Sequence, residues 1–177
     1  MTLTVSFIIS QVIVVVAYII YGMGFLGKTK IGMISKSIAY NALLAVQYIL
    51  LDATSGVIAS GVNVARNAYF IYAYKKEKGT KAVIIISVIV TIILTMLAYK
   101  SPIDILPLMF SLIAVVAYGA KNIGTKFVRV LNIASSIFYI IYAICIHSWL
   151  MIPCETYVIL TTMIGWVKHE RKISTSI

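Results

Sequence analysis

Acidic side chains are scarce: the 177 residues hold five Asp and Glu against fifteen Lys and Arg, and charged residues of both signs make up only 11% of the chain. A soluble domain carries about a quarter, so a water-solvated globule is excluded. Five carboxylates leave little material for acid–base catalysis, and the two histidines, His147 and His169, have no carboxylate and nucleophile close by in sequence. An enzyme is not expected. Cysteine is limited to Cys145 and Cys154, too few for a zinc set, and no metal or cofactor is expected. The two fall near the same end of consecutive apolar runs, which leaves open either a disulfide across the short loop or two small apolar thiols. Long polar segments are also missing. The longest are Lys75 to Lys81 and the tail after Lys168, so no separate soluble domain has room for a core.

What is present is hydrophobic: 62% of residues, with a mean hydropathy of +1.03. About 20 apolar residues cross the roughly 30 Å of bilayer hydrocarbon. The sequence holds seven such runs, at 5–26, 31–51, 56–74, 82–99, 103–120, 127–146 and 150–168. The expected fold is all-α, a polytopic membrane protein forming one membrane domain over 1–177. The first run lacks a basic n-region and cleavage site, and reads as a retained helix.

Charge in the connections alternates. Thirteen of the fifteen basic residues follow runs one, three, five and seven; Lys100 falls on the other side and Arg66 inside the third run. The positive-inside rule then puts the N-terminus outside and the tail 169–177 in the cytoplasm. Much of the +10 charge is a topology signal with affinity for anionic headgroups, and nucleic acid is not an expected partner.

The motif Tyr-Gly-x4-Gly occurs twice, as Tyr21, Gly22, Gly27 and as Tyr118, Gly119, Gly124, at an offset of 97. Runs two and three overlie runs six and seven at an offset of 94, with Asn41 over Ser135 and Asn67 over Thr161. The reading is a triple-helix repeat over 5–74, a linker helix over 82–99 and a second triple-helix repeat over 103–168. Three helices are an odd number, so a single linker gives both bundles the same orientation, a parallel 3+1+3 repeat about an axis along the membrane normal.

The helix bearing Gln11, the Asn63-x-x-Arg66 motif, Ile105-Leu106-Pro107 and Glu155 resemble the YgjV-type bacterial inner membrane protein family over almost the whole chain. That resemblance implies a multi-pass protein of the bacterial inner membrane. The helix plan is also similar to the SWEET and PQ-loop transporters and the PnuC transporters, which implies a pseudo-twofold bundle with a solute site between the triads. SWEET-type carriers place prolines in four gating helices, whereas here only Pro107 and Pro153 fall in or beside the repeat helices.

Arg66 lies ten positions into the third run, about 15 Å along a helix and close to mid-bilayer. A central Arg costs about 2.5–3.5 kcal/mol on insertion scales, so it requires a partner or a wet cavity. Asn63, Arg66 and Asn67 share one face by i, i+3, i+4 spacing. Glu155 is the natural counter-charge. Two readings stay open: a buried Arg66–Glu155 pair that fixes packing, or an anion-attracting solute site. By the repeat, Asn67 faces Thr161 across the seam. The expected site is therefore Asn63, Arg66, Asn67, Thr161 and Glu155, with Tyr48, Tyr142 and Pro107 as gate or hinge. The function expected is a small secondary transporter or facilitator of a polar or anionic organic solute; the alternative is a non-transporting scaffold or regulatory protein. Its partners are the lipid bilayer and a small solute, and a homo-oligomer is left open.

Overall fold

The computed structural model describes residues 5–51, 54–98, 102, 105–145 and 149–170. Among them the regular structure is helical throughout: α1 (Val5–Leu26), α2 (Lys30–Leu50), α3 (Thr54–Lys75), α4 (Lys81–Ala98), α5 (Ile105–Gly119), α6 (Thr125–Cys145) and α7 (Met151–Glu170). Each overlies one apolar run. The expected helix limits at 99, 103 and 146 lie outside the described residues, as do Asp52, Lys100, Asp104, His147, Arg171 and Lys172.

Local chemistry sets the ends. Thr29, in extended conformation, caps α2 by accepting from the Gly32 amide at 3.1 Å, the usual use of a hydroxyl at an N-cap. The end of α3 closes with the Lys78 amide reaching back to the Ala73 carbonyl at 2.9 Å and Glu77 left-handed at φ 55°, a Schellman turn made without the customary glycine. Pro107 and Pro153 are each the third residue of their helices, α5 and α7. An N–H there has no helical acceptor, so neither proline breaks a ladder bond or requires a kink. The side chain of Pro107 lies outside the described residues.

The principal contacts place α2 between α1 and α3, and α6 between α5 and α7; α1 meets α7, α3 meets α5, and α4 lies chiefly on α5. Polarity is inverted relative to a soluble protein. Arg66, Asn67, Arg129, Asn132 and Glu155 are buried, while Val5, Val12, Ile85, Ile86, Met96 and Leu97 are more than half exposed. Apolar surface on that scale belongs against another apolar phase. By length and composition α1 and α6 are apolar enough to cross a membrane. The polar residues of α2, α3 and α7 dilute their hydropathy, and many of them, Ser37, Asn41, Arg66, Asn67, Glu155 and Thr162 among them, are buried.

Both thiols are free, Cys145 exposed and Cys154 buried, so the disulfide alternative does not hold. Gly165 marks the closest helix approach: a Cβ there would stand 2.0 Å from the Phe25 carbonyl oxygen, so only glycine lets α7 cross α1 at this point.

Candidate functional site

Polar stripes on four helices converge on one chamber. On α2 the face is Ser37, Tyr40, Asn41 and Tyr48; on α3 it is Ser60, Asn63 and Arg66; on α6 it is Asn132, Ser135, Ser136 and Tyr139; and Glu155 enters from α7. Within α2, α3 and α6 they recur at steps of three, four or seven residues, which hold one face of a helix over several turns. The cavity measures about 220 Å³, below the range of about 300–1,000 Å³ that takes drug-sized ligands.

Arg66 and Glu155 are the two formally charged residues of its lining. Arg66 is 7% exposed and donates from Nε to Asn67 Oδ1 at 3.3 Å; its two Nη groups have no hydrogen-bond partner among the described residues. No buried side-chain nitrogen or oxygen there lacks a partner, so the free Nη groups are those open to the chamber. Glu155, 3% exposed, accepts from the Tyr18 hydroxyl at 2.9 Å, with Ser136 beside it. The two charges therefore share a chamber without forming the ion pair considered from sequence, because each is already held by its own neighbour.

The remaining expected residues divide. Asn63 lines the chamber and donates to Asn41 Oδ1 at 3.1 Å. Asn67 stands one layer back, fully buried, donating to Ser37 Oγ at 3.1 Å while orienting Arg66. Thr161 is not part of the lining. It turns toward α1, bonded to the carbonyls of Tyr157 and Val158 at 3.0 Å each, and its Oγ1 stands 2.9 Å from where a Gly22 Cβ would be. Its neighbour Thr162 takes the bond that joins α7 to α6, accepting from Asn132 Nδ2 at 3.1 Å. Tyr48 is in the lining, and Tyr142 lies near it.

Several residues in and around the chamber escaped sequence reasoning. Tyr18, Tyr21 and Tyr74 sit toward helix ends, where aromatic belts are expected, yet Tyr18 holds Glu155, Tyr21 donates to Asn132 Oδ1 at 2.9 Å, and Tyr74 donates to the Tyr118 carbonyl. Tyr21 and Tyr118 form the chamber floor. Beyond them the interior is apolar, with Phe25, Met33, Ile34 and Phe70 at most 1% exposed.

Past that apolar layer, cations close the end. Arg129, counted from sequence as a loop charge, is fully buried; its Nε and Nη2 donate to the carbonyls of Phe25 at 3.3 Å and Gly27 at 2.7 Å. His169 lies 3.0 Å from the Leu26 carbonyl. Lys30 does the same for the end of α5, donating to Ala120 at 2.7 Å and Ile123 at 3.2 Å. Cationic donors suit helix C-terminal carbonyls, where the dipole is negative.

No match was found among curated proteins or among solved structures. A family model described as bacterial inner membrane protein matches residues 8–173, and the inverted polarity and apolar α1 and α6 are what such a protein requires. The chain belongs to the Imp-YgjV family of bacterial inner membrane proteins.

Proposed function

We propose that this protein is a small secondary transporter or facilitator that passes a polar or anionic organic solute by alternating access. The observation that carries the reading is Arg66, a nearly buried guanidinium with open Nη groups in a chamber. A packing charge is ordinarily paired, whereas an unpaired one in a polar cavity marks a solute path.

The architecture proposed with it is seven spans, N-terminus outside and C-terminus cytoplasmic, in two like-oriented triads, α1–α3 and α5–α7, joined by α4. Crossed contacts support it. α1 packs extensively on α7, whereas the equivalent approach of α5 to α3 is only a brief contact. Asn67 bonds Ser37 and Asn132 bonds Thr162, each pair thirty residues apart, so the pairs superpose at an offset of 95, one residue from the 94 suggested by sequence. Lys30 of the first triad holds the end of α5, and Arg129 of the second holds the end of α1. With that orientation, the apolar layer and the cationic caps shut the cytoplasmic side, and the chamber belongs to the outward half of the cycle.

The test is reconstitution in proteoliposomes with a panel of labelled polar and anionic metabolites. Uptake of a solute that Arg66→Ala abolishes, with the variant still monodisperse, supports the carrier; undiminished uptake by that variant overturns the site. The scaffold alternative rested on an Arg66–Glu155 ion pair, and no observation favours it.

A further inference from the structure

Resting on the carrier reading and sharpening it, we infer that the chamber's ligand is a small zwitterion, whose carboxylate meets Arg66 and whose ammonium meets Glu155 and the tyrosine rings around it. The chamber carries one basic and one acidic side chain, and they are not spent on each other. A solute bearing only a carboxylate compensates Arg66 and leaves Glu155 without a counter-charge. An amine alone does the reverse. A neutral solute leaves both charges uncompensated in a low-dielectric interior, where an unpaired charge is costly. A molecule with both charges, held apart by its own skeleton, satisfies both ends at once and leaves the membrane interior neutral.

The two ends are built differently, in ways that suit the two groups. Arg66 keeps two parallel donors free for bidentate contact with a carboxylate, with Nε already anchored on Asn67 at 3.3 Å. Glu155 keeps acceptor capacity beyond its bond from Tyr18 and sits among rings. Tyr40 and Tyr139 lie within electrostatic reach of it; Tyr40 is stacked on Tyr21, centroids 4.6 Å apart, and edge-on to Tyr18 at 5.2 Å. Fixed aromatic faces beside a carboxylate attract an ammonium or quaternary nitrogen. A cavity of about 220 Å³ fits a ligand of amino acid or betaine size.

The experiment screens the purified full chain in detergent for thermal stabilisation by the common amino acids and glycine betaine. For each stabilising compound, the amine and the carboxylic acid of the same skeleton are then titrated. Expected is at least one zwitterion that binds about tenfold or more tightly than either single-charge analogue, a gap of about 1.4 kcal/mol. Arg66→Gln should bring its affinity down to that of the amine, and Glu155→Gln down to that of the carboxylic acid. A carboxylic acid that binds wild type as tightly as its zwitterion overturns the proposal, as does a panel in which no zwitterion binds. The wild-type comparison decides the matter even if either variant fails to fold. Zwitterion binding without proteoliposome flux removes the carrier and keeps the ligand class; flux of a carboxylate or sugar without zwitterion binding removes the class and keeps the carrier.

Discussion

The hydroxyls of Tyr21 and Tyr118 lie 3.3 Å apart, although the residues belong to helices 97 positions apart and stand first in the two copies of one Tyr-Gly-x4-Gly motif. The contact has a direction. Tyr21 gives its single proton to Asn132 Oδ1 at 2.9 Å, so Tyr118 must be the donor between the tyrosines. Asn132 in turn donates to Thr162, which donates to the Val158 carbonyl at 2.6 Å. One directed chain thus ties α5, α1, α6 and α7 together at the chamber floor.

A chain of that kind predicts coupling between its links. Tyr21→Phe and Tyr118→Phe each remove about 0.5–1.5 kcal/mol, and the double variant should lose less than their sum by about 0.5 kcal/mol or more. Thermal or denaturant unfolding in micelles checks this. Strict additivity of the two substitutions means that the hydroxyls do not interact.

The cationic caps predict an order of effects. Arg129→Met strips the buried Phe25 carbonyl and the part-buried Gly27 carbonyl of their donor, at about 1–3 kcal/mol for the buried acceptor. Lys30→Met acts at a partly exposed position with two part-buried bonds, where water can replace the lost donor, and should cost less. Arg129→Lys should recover only part of the loss, because a single ammonium lacks the guanidinium fork. Unfolding midpoints of the three variants rank them, and an equal effect of Arg129→Met and Lys30→Met contradicts the burial argument.

The helices were legible because their signal is local. The apolar run at 5–26 coincides with α1, and the start of α2 fell one residue from Lys30, where Thr29 supplies the cap. Arg66 and Asn63 were legible as inward-facing polar residues, and both line the chamber, because a charge in an apolar run has few alternatives. Glu155 lines the same chamber, yet its partner Tyr18 lies 137 residues away, a separation no pattern of spacing reports. Arg129 was misplaced because a cation next to Lys121 and Lys126 reads as part of a loop, and burial is a property of the packed bundle. Thr161 lies outside the lining: a single step turns a helix by about 100°, and it is Thr162, one residue on, that meets α6 by accepting from Asn132, while Thr161 faces the α1 seam.

Glycine substitutions on two helices should have opposite signs. Gly165→Ala sets a methyl 2.0 Å from the Phe25 carbonyl oxygen, a backbone atom that moves only if α1 moves, and overpacking of this kind costs about 1–3 kcal/mol or more. Gly61, on α3, has nothing within 4 Å of its absent Cβ, so Gly61→Ala should stabilise by about 0.5–1 kcal/mol through helix propensity. Unfolding of both variants in the same detergent gives the comparison. Stabilisation by Gly165→Ala is incompatible with the α1–α7 approach described.

The proposed orientation can be read from one native thiol. Cys145 is exposed at the last residue of α6, whereas Cys154 is buried four residues into α7, so a thiol reagent discriminates between them without engineering. The chain entering α6 from Thr125 runs from the cytoplasmic side outward in the proposed topology, which places Cys145 at the outer face. A membrane-impermeant maleimide added to intact spheroplasts should therefore label the wild type, and Cys145→Ala should lose most of that label. For the opposite face, Gly124→Cys in a background lacking both native cysteines adds a thiol where no atom lies within 4 Å of the new Cβ, so the substitution leaves packing undisturbed. It should react only after the membrane is opened. Labelling of Gly124→Cys in intact spheroplasts, with Cys145 protected until lysis, inverts the topology, places the cationic caps outside, and turns the chamber toward the cytoplasm.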